Sequence, residues 1–142
     1  MKEFEICKKA KNTQLECMIE KAKEAFKNSY SPYSLAKVGC SILSAKTGNI
    51  YTGCNVENSS YGATICAERS AISAAVSAEG DFGIAVIVIA NNSDDYFTPC
   101  GICLQVISEF ARSDTKVVLV KSGSNETKSY DFSELFPYAF SL

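Results

Sequence analysis

Three cysteines and one glutamate supply the residue types that a catalytic metal site needs. Cys66 and Glu68 stand two residues apart, and Cys100 and Cys103 belong to a Pro-Cys-x-x-Cys segment. Thiolate sulfur binds zinc well, and a catalytic zinc takes three protein ligands and keeps a fourth position open for water. A carboxylate beside that water can carry protons without binding the metal. The pattern predicts zinc held by the three thiols, with Glu68 as the proton carrier.

The absence of histidine narrows the choice of proton carrier. The chain has no histidine, so a general acid or base must be a carboxylate, Lys, Tyr or Cys. Two other interpretations of the cysteines remain open: three inert buried thiols, or a structural zinc with Cys54 or Cys40 as its fourth ligand. Glu68 would then lie on a solvated helix face.

Length, charge and cysteine number set the class of protein. A chain of 142 residues has the length of one domain, and its net charge of -2 gives no basic surface for a nucleic-acid backbone. Residues 1–5 have no apolar run behind them, so we expect no signal peptide. Seven cysteines, an odd number, then predict reduced thiols in a cytoplasmic protein. Cys7, Cys17, Cys40 and Cys54 are interpreted as small apolar fillers.

The elements that must position these residues alternate between helices and strands. Residues 1–12 are predicted to be a loosely ordered lead-in, and Thr13 with Glu16 forms a capping box that begins the first helix. The remaining predicted elements are strands over 36–45 and 50–55, a helix from 65 to about 78, a strand over 84–90, a helix from Thr98 to about 112, a strand over 116–121 and a short helix near Ser133. This order predicts an α/β fold with helices on both faces of a mixed sheet.

Both zinc-binding pieces fall at predicted helix starts. Cys66 lies in the first turn of one helix, and Cys100 and Cys103 lie in the first turn of another. The free amides and the positive dipole end of a helix N-terminus lower a thiol's pKa and stabilise thiolate. Two such starts that face each other would favour three ionised sulfurs.

The two pieces, in this order, resemble those of the small cytidine deaminases of the three-cysteine class. The likeness runs from about Ser29 to the C-terminus. Besides the zinc pieces it rests on Ser31-Pro32-Tyr33-Ser34, Val38-Gly39, Gly53-Cys54-Asn55-Val56-Glu57-Asn58 and Leu135-Phe136-Pro137-Tyr138-Ala139-Phe140.

The resemblance implies a three-layer α/β/α fold with a mixed five-stranded sheet, formed by residues 1–142 as a single domain. It implies one zinc per subunit and a homotetramer with shared sites. An activated water would attack C4 of the pyrimidine, while Glu68 carries protons to N3 and to the leaving ammonia. Arg69 would offset the charge of the thiolates.

The resemblance also implies which residues bind the nucleoside. Asn55 and Glu57 match the sugar-binding positions, and Tyr61 matches a position near the sugar. Ala67 matches a position whose backbone meets the base edge. Phe140 matches an aromatic residue that reaches a neighbouring subunit's site.

Two positions depart from the family pattern. Ala36 stands where many members carry a phenylalanine that packs on the pyrimidine, and Leu104 stands where arginine is usual. The expected activity is deamination of cytidine and deoxycytidine in pyrimidine salvage. A deaminase of a modified cytosine nucleoside, such as blasticidin S, and a non-catalytic zinc-bearing nucleotide-binding protein remain the alternatives. A polynucleotide substrate is disfavoured by the acidic balance.

Overall fold

The computed structural model describes residues 13–142, so the lead-in predicted for residues 1–12 lies outside the described residues. In chain order the elements are α1 (Gln14–Lys27), β1 (Val38–Ser44), β2 (Ile50–Cys54), a 3-10 turn (Tyr61–Ala63), α2 (Ala67–Glu79), β3 (Ile84–Asn91), α3 (Gly101–Phe110), β4 (Ala111–Val120), β5 (Thr127–Asp131) and α4 (Phe132–Leu135). The capping box at Thr13 is present, with both of its hydrogen bonds to Glu16.

The five strands form one mixed sheet in the order β2-β1-β3-β4-β5. The β1–β2, β1–β3 and β4–β5 pairs are antiparallel, whereas β3 and β4 are parallel. A parallel pair needs a crossover connection, and α3 supplies it. The predicted mixed five-stranded sheet is therefore confirmed.

Helices cover both faces of this sheet, which makes three layers. On one face α1 buries Met18, Ile19 and Ala22 against residues such as Val88 and Val118 of the central strands. On the other face α2, α3 and α4 pack on the alternate strand residues, among them Cys40, Ile42, Ile87, Ile89, Val117 and Leu119. Successive strand residues point to opposite faces, so a strand buried on both sides is apolar throughout.

Several element boundaries differ from those that the sequence predicts. Helix α3 begins after Cys100, which is its N-cap, rather than after Thr98. It ends at Phe110, and β4 begins at once with Ala111, five residues earlier than predicted. The residues of β5 do not by themselves predict a strand, because all five are polar or aromatic and none of them is fully buried.

Two glycines let helices approach the sheet closely. A Cβ on Gly53 would lie 2.4 Å from the Ala71 nitrogen and 2.7 Å from the Ala67 oxygen, so α2 lies directly against β2. A Cβ on Gly39 would lie 2.0 Å from the Ala22 oxygen, where α1 crosses β1. The start of α2, and with it the position of Cys66 and Glu68, depends on the first of these contacts.

Two further findings bear on the expected class of protein. Among residues 13–142, no helix combines the length and the apolar character that crossing a membrane would require. Cys40, Cys54, Cys66, Cys100 and Cys103 are free thiols. Cys17 is disulfide-bonded, which corrects the expectation of a reduced thiol at that position.

Candidate active site

Three thiols meet where α2 and α3 begin. Cys66 is the N-cap of α2, Cys100 is the N-cap of α3, and Cys103 lies in the first turn of α3. Their sulfur atoms all lie within 4.8 Å of one another, and those of Cys66 and Cys100 are 3.9 Å apart. Tetrahedral zinc with Zn–S bonds of about 2.3 Å requires sulfur atoms about 3.8 Å apart. The donor set and its spacing therefore fit zinc.

The cluster has no fourth protein donor among the described residues. Within residues 13–142, it contains three thiols, and neither Cys40 nor Cys54 joins it. Structural zinc sites are closed by four protein ligands, whereas catalytic sites keep one position open. Three thiols without a fourth protein donor match the open type of site.

The thiols are electrostatically distinct. A hydrogen bond with Cys103 lowers the pKa of the Cys66 thiol to about 5, and hydrogen bonds from Arg69 and Cys100 add to this effect against the opposing effect of burial. The same bond with Cys66, together with burial, raises the pKa of the Cys103 thiol. The Cys66 thiol therefore ionises first. It lies at the N-terminus of α2, where the helix dipole also favours a negative charge.

Arg69 is the cation beside the cluster. Its Nη2 donates to the Thr64 carbonyl at 2.9 Å and to the Cys66 sulfur at 3.5 Å. The bond to Cys66 raises the pKa of the Arg69 guanidinium, so this charge is permanent. Its Nε is buried and has no hydrogen-bond partner among the described residues. That atom remains available for a further acceptor at the cluster.

Glu68 is buried beside the thiols in the first turn of α2. Its side chain is 5% exposed, so the interpretation of Glu68 as a residue of a solvated helix face is wrong. Burial raises the pKa of the Glu68 carboxyl to about 7, and the nearby Cys66 charge adds to the rise. Burial and the charge of Glu68 also raise the pKa of the Cys40 thiol on β1. A carboxyl with a pKa near neutrality can both take and return a proton at physiological pH.

Asn55 follows directly after β2, and both ends of its side-chain amide form hydrogen bonds with the segment that joins α1 to β1. Its Oδ1 accepts from the Ser29 hydroxyl at 2.5 Å and from the Val38 amide at 2.9 Å. Its Nδ2 donates to the Ala36 carbonyl at 2.8 Å. Both lone pairs of the amide oxygen are thus used, and one N–H remains.

Glu57 is held in the same way, two residues further on. Its Oε1 accepts from the amides of Tyr33 and Ser34 at 3.0 and 3.1 Å, and its Oε2 accepts from the Ser34 hydroxyl at 2.6 Å. Burial opposes ionisation, but the hydrogen bonds from Ser34 and Tyr33 outweigh it and leave the pKa of Glu57 below its usual value. Sequence reasoning assigned no role to Ser34, although it belongs to one of the stretches that carry the resemblance.

The remaining expected site residues lie in different surroundings. Tyr61 is exposed and its ring contacts that of Tyr33 edge-on, with centroids 6.0 Å apart. Ala67 is fully buried at the first position of α2. Phe140 is exposed, and its carbonyl accepts from Gln105 Nε2 at 3.0 Å, which joins the C-terminal tail to α3. Leu104 packs against the hydrophobic core between the helices and the sheet.

Comparison with known proteins identifies the family. Residues 12–121 match the family described as "Cytidine and deoxycytidylate deaminase zinc-binding region". A probable cytidine deaminase of Dictyostelium discoideum is 44% identical over 129 residues, which cover 90% of this chain and 84% of that protein. The cytidine deaminase of Sporosarcina psychrophila is 40% identical over 129 residues, which cover 89% and 91% of the two chains.

Solved structures show the same fold. The crystal structure of cytidine deaminase from Burkholderia pseudomallei superposes with a TM-score of 0.80 at 36% identity, covering 91% of this chain and all of that one. Cytidine deaminase from Mycobacterium tuberculosis superposes with a TM-score of 0.77 at 30% identity, covering 92% of this chain and all of that one. With a cluster of three thiols that fits zinc and this likeness over nine-tenths of its length, the chain belongs to the cytidine and deoxycytidylate deaminase family.

Proposed function

We propose that this chain deaminates cytidine and deoxycytidine to uridine and deoxyuridine, with release of ammonia. The chain is a zinc-dependent hydrolytic deaminase of its family, and the similarity to curated cytidine deaminases favours these substrates over the alternatives. The observation that carries the proposal is a buried carboxyl, with a pKa of about 7, beside three clustered thiols.

Each residue of the cluster has a proposed task. Cys66, Cys100 and Cys103 hold the metal, and zinc in such a site supplies an activated water. Arg69 balances the negative charge of the thiolates through its bond to Cys66. Without a cation, three thiolates around one dication would leave a net negative charge that opposes ionisation of the water.

Glu68 carries the protons. Its carboxylate takes a proton from the attacking water and gives it to N3 of the pyrimidine, which makes C4 the electrophile. Glu68 then takes the second proton of that water from the hydroxyl group formed at C4 and transfers it to the amino group, which leaves as ammonia as the C4 carbonyl forms. Burial keeps the pKa of Glu68 near neutrality, so both transfers are possible at physiological pH.

The sugar would bind at Asn55 and Glu57. After their internal hydrogen bonds, this pair retains one N–H on Asn55 and one acceptor position on Glu57 Oε2. A sugar hydroxyl has the complementary functions, since it donates once and accepts as well. Cytidine and deoxycytidine both carry a ring hydroxyl of this kind, which supports activity on both.

The other assignments extend this proposal. Tyr61 would contact the sugar, the buried backbone at Ala67 would meet the base edge, and Phe140 would complete the site of a neighbouring subunit. We propose that residues 1–142 form a single domain and that the protein is a cytoplasmic homotetramer in pyrimidine salvage. Exposed apolar side chains near the site and at the C-terminus support an assembly: Tyr30, Tyr33, Leu35, Tyr61, Ile102, Tyr138, Phe140 and Leu142.

The test is the change in ultraviolet absorbance when zinc-loaded protein is added to cytidine, deoxycytidine or blasticidin S, with ammonia measured in parallel. We expect turnover of the first two and one ammonia for each uridine formed. Turnover of blasticidin S alone would assign the chain to a modified cytosine nucleoside instead. Zinc-loaded protein that turns over none of the three would overturn the proposed function.

A further inference from the structure

The segment before β1 donates three hydrogen bonds to the carboxylate of Glu57. Glu57 is 3% exposed, and Tyr33 and Ser34 supply all three of its hydrogen bonds from the described residues. Two of these donors are backbone amides, which any residue type except proline would supply. The third, the Ser34 hydroxyl, depends on the side chain.

Counting acceptor positions shows what this arrangement leaves free. An ionised carboxylate offers about four lone-pair positions. The amides of Tyr33 and Ser34 use two on Oε1, and the Ser34 hydroxyl uses one on Oε2. One position remains, and it belongs to the oxygen that the Ser34 hydroxyl holds.

The Ser34 hydroxyl is itself fixed in direction. Its oxygen accepts from the Ala36 amide at 3.1 Å, so its proton is left for Glu57, 2.6 Å away. The same short segment returns to Asn55, because Ala36 offers its carbonyl to Asn55 Nδ2. Ser34 and Ala36 thereby connect the two residues at which the sugar is proposed to bind.

We propose that Ser34 is a positioning residue of the sugar site, whose hydroxyl holds Glu57 Oε2 so that its one free acceptor position receives a sugar hydroxyl. The inference rests on the proposed function, because it assumes that Glu57 binds the sugar. Ser34 acts through Glu57 and touches neither the base nor the reacting atoms.

The first experiment compares steady-state kinetics of three variants of the full chain on cytidine. Ser34→Ala removes the hydroxyl, Ser34→Thr retains it, and Ser59→Ala removes a hydroxyl that contacts Tyr33 OH at 2.9 Å in the same region but does not touch Glu57. Ser34 and Ser59 are both exposed, so the variants should fold. We expect KM to rise about tenfold in Ser34→Ala, with kcat within about twofold, and both constants to stay within about threefold in the other two.

The second experiment asks whether the effect passes through Glu57 and the sugar. On 2′,3′-dideoxycytidine, which lacks both ring hydroxyls, Ser34→Ala and the parent chain should have equal kcat/KM. In a Glu57→Gln background, adding Ser34→Ala should change KM for cytidine by less than about twofold, since coupled residues are not additive.

These results separate the two claims. A parent chain that does not deaminate cytidine overturns the proposed function, and this inference with it. If the parent chain is active, any one of three results overturns the inference alone. Ser34→Ala has the same kinetics as Ser59→Ala, the effect of Ser34→Ala on KM persists on the dideoxy substrate, or that effect adds fully to the effect of Glu57→Gln.

Discussion

Glu68 is a carboxyl group placed where ionisation is unfavourable, and its proposed role depends on that placement. Replacing it by Gln keeps the shape and a polar group but removes the proton carrier. We expect Glu68→Gln to retain zinc and fold while kcat falls by about a thousandfold or more, since a positioned acid or base contributes about 10²–10⁴. Metal analysis and ammonia release measure the two properties. A variant with near-parent kcat would show that another group carries the proton.

The raised pKa of Glu68 also predicts how stability depends on pH. A carboxyl whose pKa rises on folding stabilises the folded state at low pH, and this contribution is lost as pH rises from about 4.5 to about 7. In protein stripped of metal, Glu68→Gln should therefore be more stable than the parent at pH 8, by on the order of 3 kcal/mol. The difference should vanish near pH 4. Urea midpoints at both pH values test this, and a difference that does not change with pH would contradict it.

Cys100 has two roles, and substitution by alanine removes both. Its sulfur belongs to the metal cluster and accepts from the Cys103 amide at 3.5 Å, as the cap of α3. Cys100→Ala should lose most of its zinc on dialysis against a chelator that the parent withstands, because the remaining two thiols cannot complete the site. Cys54→Ala, a free thiol outside the cluster, is the control and should keep its zinc. Full occupancy in Cys100→Ala would mean that the ligand set is wrong.

At the scale of elements, the position of α2 depends on the absence of a side chain at Gly53. A Cβ there would lie 2.4 Å from the Ala71 nitrogen, and backbone cannot yield as a flexible side chain can. Gly53→Ala should push the start of α2 off β2, lower stability by about 1–3 kcal/mol and reduce kcat, because Glu68 moves with the helix. Gly62→Ala meets nothing within 4 Å and should be neutral for stability. Thermal unfolding and kcat together test this. An unchanged kcat in Gly53→Ala would show that catalysis does not depend on the contact between Gly53 and α2.

Local signals predicted most of the elements, and their limits explain the errors. The capping box at Thr13 and the apolar run of β3 each identify their element without tertiary information. Thr98 and Pro99 satisfy the local preferences for a helix start, yet Cys100 is the N-cap of α3, because its sulfur accepts from the Cys103 amide. The polar strand β5 pairs with β4 at the edge of the sheet. Its residues show neither the alternating pattern nor the apolar run that would indicate a strand.

The sequence predicts the role of some site residues but not of others. Cys66, Cys100, Cys103 and Glu68 stood out because few chemistries need these types at this spacing, and the structure brings the three thiols together. The task of Ser34 was not predictable, since its partner Glu57 lies 23 residues away in sequence. Hydrogen bonds between distant segments leave no periodicity, so only the folded chain shows them.

At the scale of the whole molecule, the C-terminal tail presents apolar side chains to solvent. Tyr138 is 94% exposed and Phe140 is 67% exposed, while Gln105 Nε2 holds the Phe140 carbonyl against α3. A tail that is held in place but not covered is typical of a surface that a second subunit covers.

If the tail contributes to a shared site in a homotetramer, removing its central ring should affect assembly and binding together. We expect Phe140→Ala to raise KM for cytidine at least severalfold and to shift the mass measured by light scattering toward smaller species on dilution. Leu15→Ala, which shortens a half-exposed side chain on the opposite helical layer, should change neither property. A variant with parent mass but raised KM would show that the Phe140 ring contributes to substrate binding and not to assembly. A variant with reduced mass but unchanged KM would make the ring an assembly contact only, since a shared site cannot lose its partner and keep its affinity.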